Sequence, residues 1–173
     1  MPVATLTLQT SDPQATAAVA AAIAPLLCPG DVVALSGELG AGKTCFVQGA
    51  ARGLGIDARV TSPTFVLVRV YEGRLPMVHC DVYRLDRLQD VHELGDEVLA
   101  PDAVTFIEWG DAIAPLLPAD RLEVELTLAG SFEDDGDRTV TIRTFGDRWA
   151  ERGAALTAAC RPWADPSMSN GAA

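Results

Sequence analysis

Residues 37–44 read Gly-Glu-Leu-Gly-Ala-Gly-Lys-Thr and fit the pattern GxxxxGK[ST] without a mismatch. Glycines at this spacing let a backbone wrap an oxyanion chain with its N–H groups pointing inward, some at φ values that a Cβ opposes. The helix that follows turns its first amides on the same oxyanions. A lysine here reaches β- and γ-phosphates, and the next hydroxyl sits on Mg²⁺. The motif needs a strand before it and a helix after it, and both are legible. Val32 to Leu35 is a short apolar run, and KTCFVQGAARGL reads as a helix closed by Gly53 or Gly55. A chance Gly-rich turn would come with neither. Gly37, Glu38, Leu39, Gly40, Ala41, Gly42, Lys43, Thr44 and the following Cys45 are therefore candidate contacts to a nucleoside triphosphate. Lys43 is also the only lysine in the chain; the other basic side chains are arginines.

Size and charge narrow the classes. A length of 173 residues is one domain by the usual prior. Residues 1–160 are expected to form it, with 161–173 a flexible C-terminal tail rich in Pro and Ser. A hydrophobic content of 49% argues against disorder. The Ala-rich stretch Pro13 to Gly30 reads as an amphipathic or buried helix rather than a membrane span, which needs about 20 predominantly apolar residues. With no basic segment behind Met1, the expected compartment is the cytoplasm. The net charge is −11. A chain that grips RNA or DNA alone carries a basic patch, so any nucleic acid is expected to be held by a partner. Cys28, Cys45, Cys80 and Cys160 show no CxxC pairing and accompany two histidines, which suggests neither zinc nor a disulfide framework.

The order of elements predicts a P-loop NTPase fold of the α/β class. Its sheet is expected to be mixed but mainly parallel, flanked by helices, with antiparallel additions. Val3 to Leu8 alternates as an edge strand, and Ser11 or Asp12 before Pro13 starts a helix running to about Leu27, with Pro25 in its last turn. Phe65 to Val70 and Leu75 to Val82 read as a hairpin about Glu72-Gly73. Leu85 to Leu99 reads as broken helix, Ala103 to Glu108 as a buried strand. Arg121 to Leu128 and Arg138 to Arg143 flank an acidic turn, Glu133 to Asp137, read as a soluble loop. Gly146 to Cys160 reads as a last helix.

Chemistry on a bound triphosphate needs a carboxylate near the metal and a group that places water or an acceptor. Two apolar strands end in acids, at Asp81 and Glu108. Strand ends beside a phosphate loop are where a Mg²⁺-side carboxylate belongs in an open α/β sheet. Glu108 is the metal candidate with Thr44, the alternative being a structural acid at the sheet edge. Asp81 is the second acid, contacting the metal indirectly or orienting water; its competing role is a pair with Arg84. His79 shares a strand face with Asp81 and reads equally as a core histidine or one placed behind the site. Ser62 and Thr64 flank Pro63 as switch candidates. Trp109 lies against the nucleotide or a moving loop, or serves as a core or interface aromatic.

A GTPase of the familiar kind would carry NKxD and DxxG elements, and neither is present. A small nucleotide or metabolite kinase is the alternative class; it usually needs a cation cluster, and no Arg-rich lid segment is evident. The set SGELGAGKT (36–44), SPTF (62–65), HCDVYRL (79–85), ELG (93–95) and IEW (107–109) resembles the TsaE family, formerly YjeE. The matches run in order over roughly residues 10–128. The resemblance implies a P-loop ATPase that binds ATP and Mg²⁺ and works with TsaD and TsaB. That pair places threonylcarbamoyl on the adenosine beside the anticodon of tRNAs reading codons that start with A. It further implies metal contacts at Thr44 and Glu108, a second essential acid at Asp81, a switch at Ser62–Thr64 and an approach of adenine to Thr10. Hydrolysis by such a protein resets the complex between rounds. Gly110 stands where the family often has proline, which is expected to loosen that turn.

Overall fold

The computed structural model describes residues 1–63, 68–83, 99–129 and 136–165. Seven strands are found among them: β1 (Ala4–Thr10), β2 (Val32–Ser36), β3 (Val68–Tyr71), β4 (Met77–Asp81), β5 (Val104–Glu108), β6 (Arg121–Leu128) and β7 (Arg138–Phe145). They form one sheet in the order β1-β7-β6-β2-β5-β4-β3. The three central interfaces, β6–β2, β2–β5 and β5–β4, are parallel. The flanking pairs β1–β7, β6–β7 and β3–β4 are antiparallel. This is the expected mixed sheet of a P-loop NTPase, with its parallel heart and antiparallel additions. The burial follows the pairing: every residue of β4 and β5 is buried, while β6 alternates. Central parallel strands covered on both faces read as continuous apolar runs; a strand with one wet face alternates.

Three α-helices among the described residues complete the frame: α1 (Pro13–Ile23), α2 (Lys43–Gly53) and α3 (Asp147–Cys160). Asp12 caps α1, its Oδ1 accepting from the Ala15 N–H at 2.7 Å. Pro25 ends the regular helix, and residues 24–26 tighten into a 3₁₀ turn. Val33 and Leu35 of β2, Met77 of β4 and Val104 and Phe106 of β5 belong to the large core shared with Val19, Phe46 and Trp149 of the helices. Val32, Cys80 and Ile107 join a smaller core on the opposite face with Ile113, from the 3₁₀ segment Gly110–Leu116. Side chains alternate along a strand. His79, Asp81 and Glu108 are thus in phase with Met77, Val104 and Phe106, on the side of the sheet that carries α2.

α1 approaches α2 closely along the second half of α2. A Cβ on Gly49 would run into the Ala17 backbone, and one on Gly53 would stand 2.5 Å from the Ala24 Cβ. Gly49→Val is therefore expected to cost about 3 kcal/mol through overpacking against backbone that cannot turn aside. A fall in the urea midpoint with an unchanged slope checks it; an unchanged midpoint would contradict the close packing.

Residues 161–165 were expected in the flexible tail, yet Arg161–Trp163 forms a 3₁₀ turn and Ala164 bridges Leu8 on the edge strand β1. Trp163 packs half-buried on the main core, and this partial burial of its indole gives the segment the gain that its composition concealed. Nearer the start of α3, Arg152 ties that helix to the residue before β2. Its guanidinium donates to both oxygens of the buried Asp31, at 2.6 and 3.0 Å. The expected helix over 85–99 and most of the acidic turn lie outside the described residues.

Candidate active site

The phosphate-loop sequence folds around three glycines with positive φ: Gly37 at 138°, Gly40 at 81° and Gly42 at 108°. Gly37 needs its freedom twice over, because a Cβ there would also strike the Leu126 carbonyl oxygen. Gly42 caps α2, and its carbonyl accepts from the Phe46 N–H at 2.9 Å. The amides of Lys43, Thr44 and Cys45 stand in the first turn, where a helix has no carbonyl of its own to offer them.

Lys43 is 5% exposed, and its ammonium donates to the carbonyls of Gly37 at 2.6 Å and Glu38 at 3.0 Å. It also lies 3.8 Å from the centre of the Trp109 ring. Burial lowers its pKa below the ordinary lysine value, and the carboxylates of Glu108, Asp81 and Asp111 pull it back in part. Thr44 donates its hydroxyl to Glu108 Oε1 at 2.8 Å. Asp81 and Glu108 are register partners across β4–β5, which brings the two acid-ended strands to one point. Asp81 Oδ1 accepts from the Tyr83 N–H at 2.9 Å, and Ser62 Oγ stands 3.5 Å from Asp81 Oδ2.

These groups line an open cleft of about 520 Å³ bounded by Leu39, Gly40, Gly42, Lys43, Thr44, Cys45, Ser62, Asp81, Tyr83, Glu108 and Trp109. Gly37, Glu38 and Ala41 complete the loop behind it. Of the remaining candidates, Thr64 lies outside the described residues, as does Arg84. Thr10 is not in this cleft. It is buried, bonded to Thr16 through hydroxyls 2.9 Å apart, and borders a separate hollow with Gln9, Ser11, Ala15, Asp137 and Trp163. Trp109 adopts left-handed backbone, φ 63° and ψ 33°, a conformation that bulky residues rarely take. It leans on Tyr83, with ring centres 4.8 Å apart. Gly110 does not loosen this turn: a Cβ there would stand 2.7 Å from the Ala34 Cβ, so the glycine seats the turn directly on β2.

Two contributions were not read from the sequence. Arg138, at the start of β7, is 7% exposed. It donates to the carbonyls of Ala41 at 3.2 Å, Gly40 at 3.4 Å and Gly136 at 2.8 Å, bracing the phosphate loop from a residue about a hundred positions away. Nothing local marks it out, since it also opens an alternating strand. Tyr83 was visible only as part of HCDVYRL.

The cleft offers a cradle of amides, one buried cation and a set of hard oxygen donors. Thr44 and Glu108 present oxygens at one point beside Asp81, a donor set that fits Mg²⁺, which takes one or two carboxylates plus substrate phosphates. The glycine cradle and Lys43 fit a triphosphate. Comparison with known proteins identifies the family. A family profile described as "Threonylcarbamoyl adenosine biosynthesis protein TsaE" matches residues 10–138. The Treponema pallidum protein named tRNA threonylcarbamoyladenosine biosynthesis protein TsaE is 47% identical over 118 residues, 68% of this chain and 84% of its own length. The Bacillus subtilis protein of the same name is 41% identical over 143 residues, covering 82% and 87%. The crystal structure of Bacillus subtilis YdiB superposes with a TM-score of 0.72 at 35% identity, covering 90% of this chain and 95% of that one. With a profile match spanning most of its length and relatives above 40% identity, the chain belongs to the TsaE family.

Proposed function

We propose that this chain is a magnesium-dependent ATPase that acts with TsaB and TsaD in tRNA threonylcarbamoyladenosine formation. The modified base is the adenosine beside the anticodon in tRNAs reading codons that start with A. Family membership supports the pathway. The observation that supports the chemistry is the meeting of Thr44 and Glu108 at 2.8 Å in a cleft floored by the phosphate loop.

Each residue has a part that follows from its chemistry. The loop amides and the first turn of α2 bind phosphate oxygens. Lys43 exchanges its two carbonyl acceptors for phosphate oxygens, and the added negative charge relieves the cost of its burial. Thr44 and Glu108 hold Mg²⁺, which when bound neutralises charge developing on the phosphoryl oxygens. Asp81 accepts a hydrogen bond from water and orients it, and Ser62, beside it, opens the switch expected over Ser62–Thr64. Leu39 and Trp109 border the bound nucleotide, whose adenine end extends from the cleft towards the separate hollow at Thr10. Hydrolysis resets the complex between rounds rather than driving the transfer. The acidic chain meets tRNA only through its partners, in the cytoplasm. Among the described residues no helix is long and apolar enough to cross a membrane.

Reconstitution tests this reading. Purified TsaB and TsaD, supplied with threonylcarbamoyl-adenylate and unmodified tRNA, are expected to modify tRNA over many rounds only when this chain and ATP are present. Equal turnover without the chain would contradict it. Within the site, Arg138→Met is expected to weaken ATP binding roughly tenfold, because charge-assisted bonds of about 1.5–3 kcal/mol each no longer hold the loop carbonyls. Titration calorimetry checks it, and an unchanged affinity would leave the loop self-supporting.

A further inference from the structure

We infer that His79 is a positioning residue that fixes the Glu108 carboxylate for Mg²⁺, an inference that rests on the reading of Glu108 as the metal-side acid. His79 lies in β4 opposite Phe106 of β5, and its side chain is 0% exposed. Its Nε2 stands 2.8 Å from Glu108 Oε1. The same oxygen accepts the Thr44 hydroxyl at 2.8 Å. The other ring nitrogen, Nδ1, is buried and has no hydrogen-bond partner among the described residues.

That asymmetry fixes the tautomer. An ionised carboxylate only accepts hydrogen bonds, so the ring nitrogen facing it must carry the hydrogen. A hydrogen on Nδ1 would be buried with no acceptor, at the full cost of its desolvation. The ring therefore donates through Nε2 and keeps Nδ1 bare. Two donors, from β4 and from α2, then converge on a single oxygen of Glu108. The last torsion of a glutamate is broad and roughly two-fold when nothing holds it. Here both bonds oppose its rotation, and Oε2 is left outside them. Partners behind a metal ligand act in this manner, and their loss typically weakens metal binding roughly 10- to 100-fold. The bare Nδ1 also separates this role from ordinary core packing, because an apolar side chain of similar size would fill the space without burying an unsatisfied nitrogen.

Three substitutions divide the possibilities. In His79→Gln the amide nitrogen reaches the place of Nε2; in His79→Asn it reaches only the place of Nδ1; His79→Phe keeps the ring without a donor. ATP binding is titrated by calorimetry in EDTA and at a series of Mg²⁺ concentrations, with thermal unfolding to confirm folding and Glu108→Gln as reference. All three His79 variants are expected to bind ATP in EDTA as the unmodified protein does. The Mg²⁺ concentration giving half of the metal-dependent gain is expected to rise roughly 10- to 100-fold in Asn and Phe, and to stay within about threefold in Gln. Wild-type metal dependence in the Asn or Phe variant would overturn the inference. So would equal losses in Gln and Asn, or failure of all three to fold, since either assigns the ring to packing alone. If Glu108→Gln keeps the full magnesium effect, the reading of Glu108 fails and takes the inference with it. If Glu108→Gln loses the effect while His79→Phe keeps it, only the inference fails.

Discussion

Lys43→Ala is expected to lower ATP affinity on the order of 100-fold, the equivalent of about 3 kcal/mol for one well-placed charge-assisted contact set. The ammonium is held 5% exposed between two loop carbonyls and the Trp109 face, so it stands ready at the loop before any phosphate arrives. Arginine would not substitute, because its planar fork does not match a compact point charge at the centre of a narrow loop. The same burial has a consequence without nucleotide. Because the folded pKa lies below the ordinary value of 10.5, the unfolded chain binds more protons between those two values. Stability therefore rises with pH across that window. The cost of the buried charge is fully present at neutral pH and fades as pH approaches 10.5. Nucleotide-free wild type should gain thermal stability relative to Lys43→Ala over that range, and ATP should remove the difference in slope. A parallel pair of pH profiles would contradict the assignment, as would unchanged ATP affinity.

Glu108→Gln is expected to cut ATP hydrolysis about 100-fold or more, the scale for removing one preorganised electrostatic group, while ATP binding in EDTA stays near wild type. The amide retains size and one acceptor for Thr44 but carries no charge for Mg²⁺. Asp81→Asn is expected to act in the same direction through water rather than metal, with a smaller change in the Mg²⁺ requirement. Phosphate release alongside calorimetry separates binding from chemistry. Full hydrolysis by the Glu108 variant would remove it from the metal site.

Much of this site was legible because its parts are local. The loop from Gly37 to Thr44 announces itself by spacing, and Asp81 and Glu108 each close an apolar strand. What spacing could not show was that β4 and β5 are neighbours in register, so that the two acids meet; that is a fact of sheet order. Arg138 was illegible for the same reason, since a loop brace from β7 depends on β6 running beside β2. The docking of Trp163 on the core was hidden by a Pro- and Ser-rich context that reads as tail. His79 fell between two readings until the third dimension placed its Nε2 on Glu108. At Gly110, departure from a family pattern suggested looseness, whereas the packing against Ala34 shows a close seat. Local chemistry was visible in the chain; side chains that act across the sheet were not.

On the function proposed, this cleft turns over ATP slowly alone and faster in the TsaB–TsaD assembly. Phosphate release should therefore be measured for the chain by itself, for the pair by itself, and for all three together, with Lys43→Ala in parallel. Slow release by the lone chain, a clear increase on adding the pair, and loss of that increase in the Lys43 variant are expected. Equal release with and without TsaB and TsaD would contradict it, as would rapid phosphoryl transfer to a small acceptor by the lone chain.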